Sequence, residues 1–339
     1  MSRVVVTPVP VFAVGAFGGP VTRGALTSIE TMQDPRDLYD VRTALDRLPT
    51  GLYLIAGLTG FADAGGAVSQ LGSYLLDSLE TEEVLRFDND TLLDYRARRP
   101  VITFDQDHLS DYRPVQLSLY LMRDELGRQF LFLNGYEPDF QWERFSAAVL
   151  DLVSLLKVRS TVWVQSIPMP VPHTRPIGVT VSGNQEGLAD KLSVWRPTTQ
   201  APGTAMHLIE YRLQEMGASV TGLVLLVPHY LGDTEYPAVA VAAIENISTV
   251  TGLIFPTDRL REEDREFVSN IDEQVAGNAE LERLVGALEQ RHDAYMQDSP
   301  LKSPLTHLDG AVPSADEIAT ELENFLAYRR KGDDDGLGL

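Results

Sequence analysis

The stretch GLYLIAGLTGFADAGGAVSQL, residues 51–71, joins a continuous apolar run to a Gly/Ala/Asp cluster and then to a helical pattern. A continuous apolar run of this length is typical of a strand that is buried on both faces, as in a parallel sheet covered by helices. After the cluster, Val68, Leu71 and Leu75 recur at helical spacing. The stretch therefore predicts a buried strand, a tight turn and an amphipathic helix.

The same unit recurs along the chain. Three further runs predict buried strands: QFLFLNGYEPD (129–139), STVWVQSIPMPVP (160–172) and SVTGLVLLVPHYL (219–231). Three further patterns predict helices: FQWERFSAAVLDLVSLLKV (140–158), PGTAMHLIEYRLQEMG (202–217) and a segment from Pro237 to about Thr249. Strands that alternate with helices indicate an α/β fold with a mainly parallel sheet.

The remaining segments set the expected domain limits. EEVLRFD (82–88), RPVITFD (99–105), PVQLSLYLMRDE (114–125) and PIGVTVSG (176–183) predict short additional strands. We expect an α/β domain over residues 1–257, whose first 50 residues form an irregular arm with one short helix between Pro35 and Pro49. A charged helical extension is expected over residues 258–330 and a disordered tail over 331–339.

Composition excludes several classes of protein. The formal net charge of −21 argues against nucleic acid and anionic membrane surfaces as partners, and it fits either a basic partner or simple solubility. With no cysteine, the chain has no disulfide, thiolate nucleophile or cysteine-ligated zinc. No apolar run approaches the roughly 20 residues of a membrane span, and an N-terminal signal peptide is disfavoured by Pro8 and Pro10. We therefore expect a cytoplasmic protein.

Candidate ligand-binding residues follow the predicted parallel strands, since ligands of open α/β sheets bind beyond the carboxyl ends of the strands. The four strand exits are rich in Gly, Pro, Asp and His. Together they give one candidate ligand-binding cluster, made of Asp63, Gly65, Glu137, Asp139, His173, Arg175, His229 and Tyr230.

Asp63 has two interpretations. Its carboxylate is placed to accept backbone N–H groups at the start of the following helix, which also suits the helix dipole. Alternatively, Gly65 and Gly66 allow an anion to approach the helix N-terminus. A carboxylate there would compete with a phosphate, and the stretch is neither GxxxxGK[ST] nor GxGxxG. No nucleotide or other cofactor is therefore predicted.

The exit PMPVPHTRP (168–176) carries the most positive charge. Arg175 has the fork geometry that binds a carboxylate or a phosphate, and His173 has the chemistry of a proton shuttle. The alternative is that Arg175 pairs with an acid of this chain, such as Glu137 or Asp139. Both interpretations remain open at the level of sequence.

Catalytic and metal-binding signatures are weak. His173 and His229 with Asp63 or Asp139 would make a metal site, but the sequence has no HExxH or comparable spacing. Ser166 follows a strand, yet the sequence has no GxSxG pattern. We therefore assign no catalytic residue and no metal ligand.

The blocks together resemble a known family. LIAGLTGFADAGGAVSQLGSYL, FLFLNGYEPDFQWERF, VPHTRPIGVTVSG, PGTAMHLIEYRLQEMG and VPHYLGDTEYPAVAVAAIENI are similar, in order and spacing, to the proteasome-assembly-chaperone-2-like family, and in particular to its bacterial branch. The resemblance covers roughly residues 50–250. It implies a three-layer α/β/α sandwich of the phosphorylase/hydrolase-like type and a homo-oligomer, with a trimer favoured, but no settled activity.

The C-terminus departs from the resemblance. Relatives that act on proteasomes can dock through a hydrophobic–Tyr–any tail, whereas this chain ends Gly336-Leu337-Gly338-Leu339, with glycine in place of the tyrosine. The ATP-dependent ligase activity ascribed to some relatives finds no nucleotide loop or magnesium-binding carboxylate set here. We therefore expect a non-enzymatic, homo-oligomeric protein-binding or assembly-chaperone-like factor.

The alternative function is a small-molecule-binding enzyme of the phosphorylase/hydrolase type that uses the strand-exit cluster. The C-terminal helices carry an apolar leucine face that the α/β domain does not obviously cover. These helices are expected to clamp an oligomer or to form a lid over a neighbouring subunit.

Overall fold

The computed structural model describes residues 34–196 and 198–298. The predicted arm therefore lies mostly outside the described residues, as do the predicted last helix and tail. The parts of the chain that are described contain ten strands and eight helices.

The strands are β1 (Tyr39–Val41), β2 (Tyr53–Thr59), β3 (Thr81–Phe87), β4 (Val101–Asp105), β5 (His108–Arg113), β6 (Ser118–Arg123), β7 (Gln129–Tyr136), β8 (Ser160–Met169), β9 (Gly178–Gly183) and β10 (Val220–Pro228). The helices are α1 (Ala67–Ser78), α2 (Asn89–Leu92), α3 (Trp142–Leu155), α4 (Leu188–Leu192), α5 (Ala205–Glu215), α6 (Pro237–Thr251), α7 (Asp258–Ala276) and α8 (Ala279–Asp298). Short 3₁₀ turns cover Pro35–Leu38, Leu45–Arg47, Ala64–Gly66 and His229–Leu231.

Eight strands form one sheet in the order β1-β3-β6-β7-β2-β8-β10-β9. The four adjacent strands β7, β2, β8 and β10 are parallel, and these are the four predicted buried strands. The outer pairs are antiparallel. The sheet is thus parallel at its centre and antiparallel towards both edges.

Both faces of the sheet are covered. Alternate residues of β2 enter different cores: Ile55 packs with α1 and α6, whereas Leu54 and Ala56 pack with α3 and α5. The same alternation separates Val162 from Trp163 in β8. Because every central strand is buried on both sides, its sequence is continuously apolar. The protein is a mixed α/β fold with helices on both faces of a central sheet.

One local prediction is wrong. The segment between Pro35 and Pro49 contains two 3₁₀ turns and strand β1 instead of a single short helix. β1 pairs antiparallel with β3, with Asp40 opposite Arg86. Ladder hydrogen bonds to an otherwise open sheet edge therefore outweigh the local helical pattern.

Strands β4 and β5 form a separate two-stranded hairpin. Ile102, Phe104 and Leu109 lie on one face, because Phe104 is paired with Leu109 and side chains alternate along a strand. Thr103 is paired with Ser110 on the other face. The apolar residues are nonetheless 46%, 70% and 61% exposed. The hairpin is therefore an amphipathic ribbon whose apolar face is uncovered in this chain.

In contrast to the hairpin, the helical extension formed by α7 and α8 buries apolar side chains. Leu260 of α7 is buried in the core that contains α1 and α6, and Phe267 and Ile271 pack against the same core. Val285 and Leu288 of α8 are also buried. The expectation that the α/β domain does not cover this apolar face is wrong for α7, because Leu260, Phe267 and Ile271 pack in the core that contains α6. No helix in the described ranges is both long enough and apolar enough to cross a bilayer.

Candidate functional site

The four strand exits lie side by side at one edge of the sheet. Since β7, β2, β8 and β10 are parallel neighbours, their carboxyl ends point the same way. The exits therefore follow one another in the order of Glu137 and Asp139, then Asp63 and Gly65, then His173 and Arg175, then His229 and Tyr230.

Asp63 lies at the exit of β2 and caps helix α1. Its Oδ1 accepts the Val68 N–H at 2.7 Å and its Oδ2 accepts the Ser69 N–H at 3.0 Å. The Ser166 hydroxyl donates to the same carboxylate at 3.4 Å. These N–H groups lack partners inside the helix, so the carboxylate satisfies them and complements the helix dipole. The predicted cap is confirmed, and the position that a phosphate would take is filled by the chain itself.

Gly65 joins the exits of β2 and β10. Its N–H donates to the Gly232 carbonyl at 2.8 Å, and its carbonyl accepts the Tyr236 N–H at 2.9 Å. Its φ is +69°, and a Cβ there would lie 3.0 Å from Val239 and 3.1 Å from Val227. Glycine is therefore required by backbone conformation and by close packing.

Glu137 lies at the exit of β7 and is 7% exposed. Its carboxylate accepts the N–H of Ala205, the first residue of α5, at 2.6 Å and the N–H of Phe61 at 3.3 Å. The Thr204 side chain caps α5 as well. Glu137 thus connects the turn after β2 to the N-terminus of a helix on the other face of the sheet.

Asp139 contacts other residues than Glu137 does. It forms a salt bridge with Arg98 at 3.1 Å and accepts the Asp94 N–H at 2.7 Å. Arg98 also donates to the backbone carbonyl of Glu137 at 2.6 Å. Asp139 therefore anchors the segment that leads into the β4–β5 hairpin.

His173 lies in a buried network with Tyr230. The Tyr230 oxygen accepts the His173 backbone N–H at 2.7 Å and lies 2.7 Å from the ring Nδ1. The hydroxyl proton is then free to be donated to Nδ1, which places the ring proton on Nε2, 3.2 Å from Asp272 of α7. Burial raises the pKa of Tyr230, which keeps its hydroxyl protonated. The network joins the exit of β8 to α7.

Arg175 is held by α8. Its guanidinium makes a two-pronged contact with Asp293, with Nε–Oδ1 at 2.8 Å and Nη2–Oδ2 at 2.6 Å, and Nη1 lies 3.2 Å from Glu289. The hydrogen bonds from Arg175 lower the pKa of Asp293 to about 2. The interpretation that Arg175 pairs with an acid of this chain is confirmed, but the partners are Asp293 and Glu289 and not Glu137 or Asp139, because α8 returns over the exit of β8 and brings its own acids.

His229 opens the 3₁₀ turn after β10, and its ring meets that of Tyr230 edge-on with centroids 5.5 Å apart. Among the residues that the structure describes, no three His, Asp or Glu side chains are grouped as metal ligands. The eight predicted residues thus share one edge of the sheet, but their side chains belong to separate sets of contacts. One set involves α1, another α5, a third Arg98, and the last the helices α7 and α8.

Sequence reasoning missed a pocket beside Glu137. It is a depression partly open to solvent, with room for about one water molecule, and its lining includes Phe61, Trp163, Gln165 and Met206. Gln165 is 8% exposed, and its Oε1 has no hydrogen-bond partner in the described structure. One signal was available in the sequence, because Gln165 is a lone amide within the apolar run STVWVQSIPM.

Comparison with known proteins places these features in a family context. The model of the PAC2 family matches residues 57–275. A Mycobacterium tuberculosis protein of unknown function is 41% identical with a TM-score of 0.72, covering 77% of this chain and 92% of that one. A Corynebacterium glutamicum protein of unknown function is 35% identical with a TM-score of 0.72, covering 77% of this chain and 98% of that one.

A more distant structure shares the fold. The Mycobacterium tuberculosis proteasome-assembly chaperone homologue is 21% identical with a TM-score of 0.63, and the match covers 69% of this chain and all of that one (100%). A search of curated proteins gave no match.

Proposed function

Since this chain belongs to the PAC2 family, we propose that it is a non-enzymatic, homo-oligomeric protein-binding factor of the assembly-chaperone kind, acting in the cytoplasm. Structures with the same fold include a proteasome-assembly chaperone homologue and an archaeal proteasome activator from Pyrococcus furiosus. One is a homologue of a proteasome-assembly chaperone and the other a proteasome activator, and this motivates a protein partner here. The sequence resemblance favours a trimer.

The β4–β5 hairpin is the observation that carries this proposal. Its Ile102, Phe104 and Leu109 form one apolar face, and all three are exposed. Isolated two-stranded hairpins are at best marginally stable in water, and exposed contiguous apolar surface marks interaction sites. A second polypeptide chain would cover this face and stabilise the ribbon. We take that chain to be a second copy of this protein, as a homo-oligomer requires.

The first experiment measures assembly. The full chain is compared by light scattering with a double variant, Phe104→Ser and Leu109→Ser. We expect the unmodified protein to be oligomeric and the double variant to have a lower mass. The matched control is Leu126→Ser with Phe140→Ser, which removes a leucine and a phenylalanine that are 65% and 50% exposed elsewhere. This control is expected to keep the oligomeric mass.

Two outcomes would contradict the assembly proposal: a monomeric unmodified protein at working concentration, or an unchanged mass in the hairpin double variant. The chaperone part is tested separately by affinity capture from native lysate with mass spectrometry. Recovery of a defined protein assembly supports it, and recovery of this chain alone argues against it.

An enzyme of the phosphorylase/hydrolase type remains the alternative. It would need Arg175 to release Asp293 and Glu289 in order to hold an anion. A thermal-shift screen with phosphate, nucleosides, nucleotides and acidic peptides tests it. Stabilisation by an anionic compound that is lost in Arg175→Ala would favour the enzyme over the binding factor.

A further inference from the structure

Helix α5 begins with a capping box whose third position is a histidine. The His207 backbone N–H donates to the Thr204 hydroxyl oxygen at 3.3 Å, and the Thr204 backbone N–H donates to His207 Nδ1 at 3.0 Å. Capping boxes ordinarily have glutamate or glutamine at this position. Histidine differs from both, because the charge of an imidazole changes between about pH 5 and pH 8. The start of α5 therefore depends on the protonation state of a ring.

The hydrogen bond from Thr204 fixes the tautomer of His207. Nδ1 accepts an N–H only when it carries no proton itself, so the neutral ring has its proton on Nε2. A second proton binds at Nδ1 and turns this atom into a donor. The Thr204 hydroxyl oxygen, 2.8 Å from Nδ1, is able to accept from it, whereas the Thr204 backbone N–H loses its acceptor. Protonation thus breaks one half of the capping box and leaves the other half in place.

The surroundings of His207 favour the neutral ring. The ring meets that of Trp163 in β8 edge-on, with centroids 5.0 Å apart. Burial lowers the pKa of His207, because the charged form loses more hydration than the neutral form does. The intact capping box is therefore the state expected at neutral pH.

The charged groups near His207 are all acids that other donors already hold. Glu210 of α5 and Glu137 at the exit of β7 both favour the protonated ring, though burial has the larger effect on its pKa. The Glu210 carboxylate accepts the Trp163 Nε1–H at 2.6 Å, and the Glu137 carboxylate accepts the Ala205 N–H at 2.6 Å. Helix α3 brings Glu143, which Arg212 of α5 binds at 3.3 Å.

The N–H that protonation releases lies at the end of an exposed segment. Residues 198–203 are all exposed, whereas Thr204 and Ala205 are buried. The Ala205 N–H is held separately by Glu137, in a contact that does not involve the imidazole. Loss of the contact between Thr204 and His207 therefore frees the segment, while α5 keeps its attachment to the exit of β7.

We propose that His207 is a pH-sensitive switch, whose protonation releases the Thr204 backbone and loosens residues 198–203. In the unfolded chain the pKa of histidine is near 6.5, and in the folded chain the pKa of His207 is lower. The capping contact therefore contributes fully to stability above about pH 6.5 and is lost as the pH falls through the pKa of the folded state. The switch opens under mildly acidic conditions.

Deuterium exchange of the full chain measures the release. The protection of the Thr204 amide, corrected for the intrinsic exchange rate at each pH, should fall as the pH is lowered from about 7.5 to about 5. The fall should reach about tenfold once the ring is fully charged, as expected for the loss of one hydrogen bond. The amides of β8 should keep their protection, which distinguishes local release from unfolding of the domain.

Two variants separate the acceptor from the charge. His207→Gln supplies an acceptor that does not titrate, so Thr204 should stay protected over the whole pH range. His207→Phe keeps an aromatic ring without an acceptor, so Thr204 should exchange fast even at about pH 7.5. The matched control is His108→Gln, which removes a histidine that is 63% exposed in the hairpin. This control should keep the pH response of the unmodified chain.

Magnetic resonance of the chain with isotope-labelled histidine rings reports the tautomer, and the His207 signal is identified by its absence in His207→Gln. Nε2 should carry the proton at about pH 7.5. A proton on Nδ1 at that pH, the same pH response in His207→Gln as in the unmodified chain, or full protection of Thr204 in His207→Phe would each overturn the proposal. None of these measurements depends on oligomeric state or on a protein partner, so their failure is distinguishable from failure of the proposed function.

Discussion

The β4–β5 hairpin and the α7–α8 extension are both additions to the α/β core, but they differ in whether their apolar side chains are buried. The extension buries Leu260, Val285 and Leu288 within its own chain, whereas the hairpin leaves Phe104 and Leu109 exposed. Apolar surface is stabilised when it leaves water, whichever chain covers it. The described part of the extension therefore buries these side chains within one chain, whereas we propose that a second chain covers the hairpin.

The two regions also differ in how their charges are used. Asp272, Glu289 and Asp293 of the extension bind His173 and Arg175 at the strand exits. The charged pairs of the hairpin stay within the hairpin itself, as between Asp111 and Arg113. The extension thus closes the exit of β8 by specific contacts, while the hairpin makes none with the core through these pairs.

The largest loss of stability is expected from Leu260→Ala. Removing a buried leucine side chain leaves a cavity, so the free energy of unfolding should fall by about 2–5 kcal/mol in urea titrations. The matched variant is Leu109→Ala in the hairpin, where the side chain is 61% exposed. Its effect should stay within about 0.5 kcal/mol at low protein concentration. Equal losses of unfolding free energy in the two variants would contradict the distinction between the buried apolar surface of α7 and the exposed one of the hairpin.

Asp63→Ala should have the next largest effect. The variant removes the carboxylate that accepts the Val68 and Ser69 N–H groups, so the free energy of unfolding should fall by about 0.5–2 kcal/mol. Asp107→Ala in the hairpin turn is the control and should leave stability unchanged, because this side chain is 93% exposed. A loss of unfolding free energy for Asp107→Ala as large as that for Asp63→Ala would contradict the assignment of Asp63 as the helix cap.

Arg175→Met should loosen α8 locally. Without the guanidinium, Asp293 and Glu289 lose their partner, and the backbone amides of α8 should exchange faster with deuterium. Arg113→Met breaks a pair of the same kind inside the hairpin and should leave α8 unchanged. Unchanged exchange in Arg175→Met would show that apolar packing alone holds this helix.

The same contact predicts a pH dependence. Hydrogen bonds from Arg175 lower the pKa of Asp293 from 3.8 to about 2. Its contribution to stability is therefore complete above the unfolded pKa, near pH 4, and is lost as the pH falls through about 2. Amide exchange of α8 should rise over this range, and Asp293→Asn should remove that part of the rise. Parallel pH profiles for both proteins would refute the linkage.

The smallest effect on the isolated chain is expected from Phe104→Ser. Because Phe104 is 70% exposed, the free energy of unfolding of the monomer should change by less than about 0.5 kcal/mol. At high protein concentration the unmodified chain should unfold at a higher temperature than the variant, since self-association stabilises the folded state by mass action. A difference that is independent of concentration would place Phe104 in the chain's own core.

Local features of the fold follow from the sequence. The apolar run 51–58 predicts β2, the leucine spacing predicts α1, and Asp63 caps a helix that begins within a few residues of it. Each depends on neighbours along the chain, so periodicity and capping chemistry suffice to find it. The position of the four strand exits follows as well, because parallel strands share one edge.

Which groups meet at that edge depends on the three-dimensional arrangement of distant parts of the chain. Asp293 lies 118 residues after Arg175, and Asp272 lies 99 residues after His173. With 49 acidic residues in the chain, local pattern cannot select the partner of a given cation. Coverage of apolar surface is equally non-local, since α6 and the core behind it, not the sequence of α7, decide that Leu260 is buried. Sequence pattern alone is enough to find the central strands, their helices and the edge where the strands end. The contacts of His173 and Arg175 depend on the return of α7 and α8 over that edge, because burial and ion pairing depend on distance in space.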